Sequence, residues 1–125
     1  STSTRCMIGG MVGNNSCGSH SIIYGNTRRH TLELKCILSD GNEAVFKDVS
    51  PKEYEEKCIG DKLENILYRH IKKVLSNPEV QNEIRNEFPK PSIGRRNTGY
   101  ALDEIMETEI FAGRPDKFNF CKLLA

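Results

Sequence analysis

The sequence predicts an α+β fold in which one antiparallel hairpin is followed by a largely helical section. Three observations carry this. Two short runs with the two-residue period of strands flank Asp40-Gly41, and a stretch from Ser50 to Phe88 shows helix caps and a 3.6-residue apolar rhythm. The opening, rich in glycine and asparagine, follows neither period.

Through about Asn26 the chain carries Gly9, Gly10, Gly13, Gly18 and Gly25 between small polar residues. Such spacing favours tight turns and close backbone approach, so residues 1–30 read as a loop-rich, ligand-facing surface with one short helical turn. Leu32, Leu34, Cys36 and Leu38 then alternate with outward positions as in a half-buried strand. Ser39-Asp40-Gly41-Asn42 offers a turn, and Glu43 to Lys47 returns as the second strand, which places a hairpin at 31–47.

Ser50 caps a helix opening at Pro51, with Glu53 completing a capping box. From Asp61 a longer helix presents Leu63, Ile66, Leu67, His70, Ile71, Val74 and Leu75 on one face. Asn77-Pro78 repeats the cap signal for a third helix, bearing Val80, Ile84 and Phe88 and ending at Pro89. Pro89 to Gly94 reads as a linker. Tyr100 to Met106 and Phe118 to Leu124 are short helical candidates on either side of a loop at Ala112 to Asp116. There is no internal repeat.

At 125 residues the chain amounts to one domain. Its 18 Lys plus Arg against 17 Asp plus Glu leave a formal charge of +1, too weak a field to hold nucleic acid or an acidic membrane. The odd set Cys6, Cys17, Cys36, Cys58 and Cys121 does not read as a secreted disulfide framework, and points to a reducing, cytoplasmic setting. No run approaches the ~20 apolar residues of a membrane helix, and the first residues lack the apolar core of a signal peptide. The absence of an initial Met, and an end within Leu123-Leu124-Ala125, read as cut termini.

The chemistry concentrates in Cys6-Met7-Ile8-Gly9-Gly10-Met11-Val12-Gly13-Asn14-Asn15-Ser16-Cys17-Gly18, followed by Tyr24-Gly25. Glycines this dense let a backbone approach a ligand, and successive N–H groups suit an anion such as a pyrophosphate. Asn14, Asn15 and Ser16 add side-chain donors. A P-loop is excluded because Ser19-His20 stands where Lys is needed, and Gly9-Gly10-x-x-Gly13 has the wrong spacing for a Rossmann fingerprint.

That string, with Tyr24-Gly25 and the strand ending Leu38-Ser39-Asp40-Gly41, resembles the second half of the FAD-binding domain of the p-cresol methylhydroxylase/vanillyl-alcohol oxidase superfamily. Within it the chain is most similar to the FAD-linked D-lactate, glycolate and D-2-hydroxyglutarate dehydrogenases. Arg95-Arg96-Asn97-Thr98-Gly99-Tyr100-Ala101-Leu102 resembles a second block of this group. The resemblance implies an α+β subdomain whose antiparallel sheet is flanked by helices, with FAD between it and a smaller N-terminal subdomain. It implies that Thr2, Ser3, Thr4, Arg5 and Cys6, with Gly9 and Gly10, line the flavin and ribityl region. Gly13 belongs to the same cofactor-facing turn, and Asn14, Asn15, Ser16, Cys17 and Gly18 approach the pyrophosphate or ribityl chain. Residues 50–88 read as a helical insertion without a cofactor role, and 94–125 as loop and short helices.

The resemblance further implies a flavin that accepts a hydride from a small 2-hydroxy acid, with this chain supplying cofactor binding and no acid or base. The family's first flavin loop is expected before Ser1 and a Gly-Ser-Glu-Gly-Thr motif after Ala125, so the partner is the remainder of the polypeptide. Long bacterial members also carry an iron–sulfur domain, which places any iron–sulfur cluster downstream. The rival reading is a non-catalytic interaction domain that docks through helical faces around Leu63 or Val80. His70 reads as a core or boundary histidine, and Arg28-Arg29-His30 as a solvated strand edge; Arg95-Arg96 stands against the second block, where cofactor or acidic substrate is expected. Cys17 with His20 and His30 lacks an ordering group for thiol catalysis, and the cysteines lack the short spacing of metal sites.

Overall fold

The computed structural model describes residues 4–93, 96 and 99–123. The described chain opens with three short helices, α1 (Ile8–Gly13), α2 (Ser21–Tyr24) and α3 (Thr27–His30). The expectation of a loop with one helical turn is corrected here. Gly9, Gly10 and Gly13 all keep the negative φ of a helix, and local bonds such as Met11 N to Met7 O at 3.0 Å close its turns.

The hairpin consists of β1 (Leu34–Ile37) and β2 (Glu43–Phe46), paired antiparallel with Leu34 opposite Phe46 and Cys36 opposite Ala44. Gly41 N donates to Leu38 O, and Leu38 N to Asn42 O, each at 2.9 Å. Gly41 has φ +81°, so the turn is a three-residue loop with glycine at the left-handed position. Asp40 Oδ1 accepts the Asn42 N–H at 3.0 Å. The alternation holds for Leu34, Cys36 and Leu38, whereas Leu32 lies before the strand and is exposed.

Three of the next elements follow their sequence signals. Ser50 Oγ accepts from Glu53 N, and Glu53 Oε2 accepts from Ser50 N at 2.7 Å, which caps α4 (Pro51–Lys57) reciprocally. Helix α5 (Leu63–Leu75) starts two residues later than expected, and α6 (Pro78–Glu87) begins with Asn77 Oδ1 accepting from Glu79 N at 2.9 Å. On α5 the buried residues are Tyr68, Ile71 and Leu75; Ile66 and His70 face solvent. His70 is thus corrected from the apolar face to the surface. The chain ends in α7 (Leu102–Met106), α8 (Glu109–Ala112), which no sequence signal announces, and a 3₁₀ turn at Phe120–Leu123. Tyr100 lies outside α7 and is exposed, and Leu124 falls outside the described residues.

The core is aromatic. Tyr54, Tyr68 and Phe118 are fully buried, and Phe46, Phe111 and Phe120 pack around them. Ring centroids of Tyr68 and Phe120 lie 4.7 Å apart, of Tyr54 and Phe118 4.8 Å, and of Phe118 and Phe120 5.0 Å, all edge to face. Such pairs add about 0.5–1.5 kcal/mol each beyond area burial. Tyr54 Oη donates to Tyr68 O at 3.0 Å, and Val49 N to Phe118 O at 3.0 Å, so the segment after the hairpin is sewn to the C-terminal segment. No helix among the described residues is long and apolar enough to cross a membrane.

Candidate functional site

Of the residues singled out in the opening, Thr2 and Ser3 lie outside the described residues. Thr4, Arg5 and Cys6 form an exposed turn leading into α1, which buries none of its residues. Nothing lies within 4 Å of where a Cβ would stand at Gly9, Gly10, Gly13 or Gly18, so the glycines form a bare face open to a large ligand. Asn14, Cys17 and Gly18 are exposed and Ser16 is half-buried. Asn14 Nδ2 donates to Ser16 Oγ at 3.3 Å, and Gly18 N to Ser21 Oγ at 2.9 Å.

Asn15 departs from this pattern. It is fully buried with φ +44°, and its Oδ1 accepts the Arg28 N–H at 2.8 Å. The amide side chain therefore holds the turn from inside rather than standing at the surface. Beside it, Thr27 Oγ1 donates to Ser16 O at 2.6 Å and Thr27 N to the same oxygen at 3.3 Å.

Arg28 is corrected from a solvated edge to a buried residue, 3% exposed, with Nη2 reaching Gly99 O at 3.5 Å. Burial lowers the pKa of its guanidinium, and Glu104 opposes that. Arg96 is spent on its own chain: it pairs with Asp103, donates to Glu104 Oε1 at 2.8 Å, and caps Pro89 O at 3.1 Å. Burial alone would lower its pKa, but the Glu104 hydrogen bond and the Asp103 charge outweigh burial and leave it raised. Arg95, Asn97 and Thr98 lie outside the described residues.

Two residues without any signal in the sequence secure this region. Lys122 Nζ donates to the carbonyls of Arg28 at 3.2 Å, Arg29 at 3.3 Å and Thr31 at 3.0 Å, so a cation closes the C-terminal end of α3. Asn119 Nδ2 donates to Leu32 O at 2.9 Å and Asp48 Oδ1 at 2.8 Å. Most of these partners lie some ninety positions away in the chain, so no local pattern reveals them.

The outer side of the opening is apolar. Met7 and Ile8 are 81% and 80% exposed, and Ile22, Ile23 and Tyr24 on α2 also project into solvent. A shallow hollow of about 210 Å³ lies between α2, Gly25 and Arg29. His30 Nε2 is bonded to Tyr24 O at 2.8 Å. Among the described residues no His, Cys, Asp and Glu group is arranged to hold a metal.

Residues 1–46 match the family described as the FAD binding domain. This match includes the bare glycine face and ends with β2. The opening and hairpin are thus similar to an FAD binding domain. That segment and most of the remaining chain are similar to D-2-hydroxyglutarate dehydrogenases. Identity is 32% over 110 residues with that of Pseudomonas putida, covering 87% of this chain and 10% of that protein. It is 30% over 111 residues with that of Escherichia coli, covering 88% and 10%, and 26% over 133 residues with that of Haemophilus influenzae, covering 99% and 12%. The chain thus spans about a tenth of the length of these relatives. No solved structure gives a significant match.

Proposed function

We propose that the chain is the cofactor-facing part of an FAD-dependent oxidoreductase that oxidises a small 2-hydroxy acid. The observation that carries the reading is the coincidence of the FAD binding domain match with the exposed glycine face at Gly9, Gly10, Gly13 and Gly18. Bound FAD would supply the hydride acceptor, and the protein placement and electrostatics. In this reading Ser3, Thr4, Arg5 and Cys6 line the flavin side with Gly9 and Gly10. Gly13, Asn14, Ser16, Cys17 and Gly18 meet the ribityl chain and pyrophosphate, and Asn15 fixes the turn that presents them. No residue of this chain serves as acid or base.

The substrate class rests on the names of the relatives, all D-2-hydroxyglutarate dehydrogenases. The exposed Met7, Ile8, Ile22 and Ile23 favour cover by the remainder of a longer polypeptide, which would supply the other wall of the flavin site. An iron–sulfur cluster, where present, would sit in a separate downstream domain. Five cysteines, none of them in a disulfide, accord with a cytoplasmic setting. The faces on which a purely docking role would rest are turned inward: Val80 packs on the core and Leu63 is half-buried.

Extending the chain to the length of its relatives should give a yellow protein with a flavin absorption band, reduced by a 2-hydroxy acid. A folded but colourless extended protein that takes up no FAD overturns the reading. The 125-residue chain alone should bind FAD more weakly than about 1 μM, because only one wall of the site is present.

A further inference from the structure

We infer that Arg28 is a positioning residue that locks the Asn14–Gly18 turn to the Gly99–Tyr100 segment and thereby sets the face offered to the cofactor, an inference that rests on the FAD reading above. The two segments lie far apart in the chain, Gly99 standing 71 positions after Arg28. Both reach the same buried residue, the first at its backbone N–H and the second at its guanidinium. At one end the Arg28 N–H is taken by Asn15 Oδ1 at 2.8 Å, within the burial that keeps Asn15 in left-handed backbone. Thr27 adds two bonds to Ser16 O, so the backbone of α3's first turn is the template on which the Asn15–Ser16 turn is shaped. At the other end the guanidinium extends to Gly99 O, beside Glu104 and Asp103, which Arg96 holds in place.

A guanidinium presents five donors in one rigid plane, and a buried one is costly to leave short of acceptors. Moving the Gly99 segment or the Asn15 turn independently therefore separates Arg28 from part of its surroundings. The two segments move together or not at all. The carbonyls of Arg28 and Arg29 are in turn held by Lys122, which stops α3 from sliding to compensate.

The test uses the full-length protein containing this chain, titrated with FAD, as wild type and as Arg28→Met, Arg28→Lys and Ile84→Ala. Ile84 is buried on α6 in the helical core, so Ile84→Ala reports general destabilisation. Arg28→Met should weaken FAD binding at least tenfold and shift the visible flavin band. Arg28→Lys should recover part of the affinity, and Ile84→Ala should stay within about twofold of wild type. Wild-type affinity with an unchanged flavin band in folded Arg28→Met overturns the inference. So does an equal loss in Ile84→Ala. Should Arg28→Met not fold, the comparison moves to Arg28→Lys, for which an intermediate loss with a shifted band supports the inference and wild-type behaviour sinks it. A wild-type protein that takes up no FAD defeats the functional reading itself, whereas binding indifferent to residue 28 defeats only the positioning role.

Discussion

The opening, residues 4–30, and the helical section from Val49 onward are held together in opposite ways. The helical section buries Tyr54, Tyr68, Leu75, Ile105 and Phe118 together in an apolar core. The opening does the reverse: Met7, Ile8, Ile22 and Ile23 face solvent, while the polar Asn15, Asn26 and Arg28 are buried. One region is stabilised by non-directional apolar burial, the other by directional tethers to Gly99 and Lys122. A surface that leaves its apolar side chains in solvent cannot also use them for its own core. Its shape must then come from hydrogen bonds behind it.

The sharpest way to break this contrast is at the core. Phe118→Ala removes the ring that meets Tyr54, Tyr68, Phe111 and Phe120, and should cost about 3–5 kcal/mol in denaturant unfolding. Set against a typical total of about 5–15 kcal/mol, that loss is global, and a change confined to the C-terminal segment would contradict the shared core. Lys122→Met should cost about 1.5–3 kcal/mol by removing a charged donor shared by three carbonyls. Its signature in hydrogen exchange is faster opening of residues 15–31, with α5 and α6 protected as before; uniform loss of protection would mean that the opening is not separately tethered.

Gly10→Ala distinguishes an open face from a covered one. With nothing near its Cβ position and a helical φ, the isolated chain should gain about 0.5–1 kcal/mol. The same change in the full-length protein should weaken FAD binding, and a gain in both settings would remove Gly10 from the cofactor face. Tyr68→Phe should be smaller still. Its Oη is buried and has no hydrogen-bond partner among the described residues, so its removal should leave stability unchanged or raise it by about 0.5 kcal/mol in thermal unfolding, and a clear loss would contradict the unpartnered hydroxyl.

The two regions also differ in their thiols. Burial pushes the Cys121 thiol up from 9.0 to about 11, whereas Cys6 and Cys17 are exposed. A raised pKa means that the neutral thiol is favoured by folding, so its contribution is complete below pH 9.0 and is lost as pH rises through about 11. Alkylation at neutral pH should therefore label Cys6 and Cys17 while sparing Cys121 until the protein unfolds. Rapid labelling of Cys121 in the folded chain would show that the core is open.

Elements governed by local backbone chemistry were legible in the sequence: the Ser50 capping box, the Asn77-Pro78 helix start, the Asp40-Gly41 turn and the strand alternation at Leu34, Cys36 and Leu38. Each depends on residues within four positions of one another, so the pattern and its cause sit together in the chain. The glycine motif likewise lies within the segment that matches the FAD binding domain. Tertiary structure alone decided that Tyr68 rather than His70 faces the core, that Asn15 and Arg28 turn inward, and that Lys122 and Asn119 secure the opening. Those choices are set by partners up to 94 positions distant, and a contact made by chain closure leaves no periodic trace in the sequence that makes it.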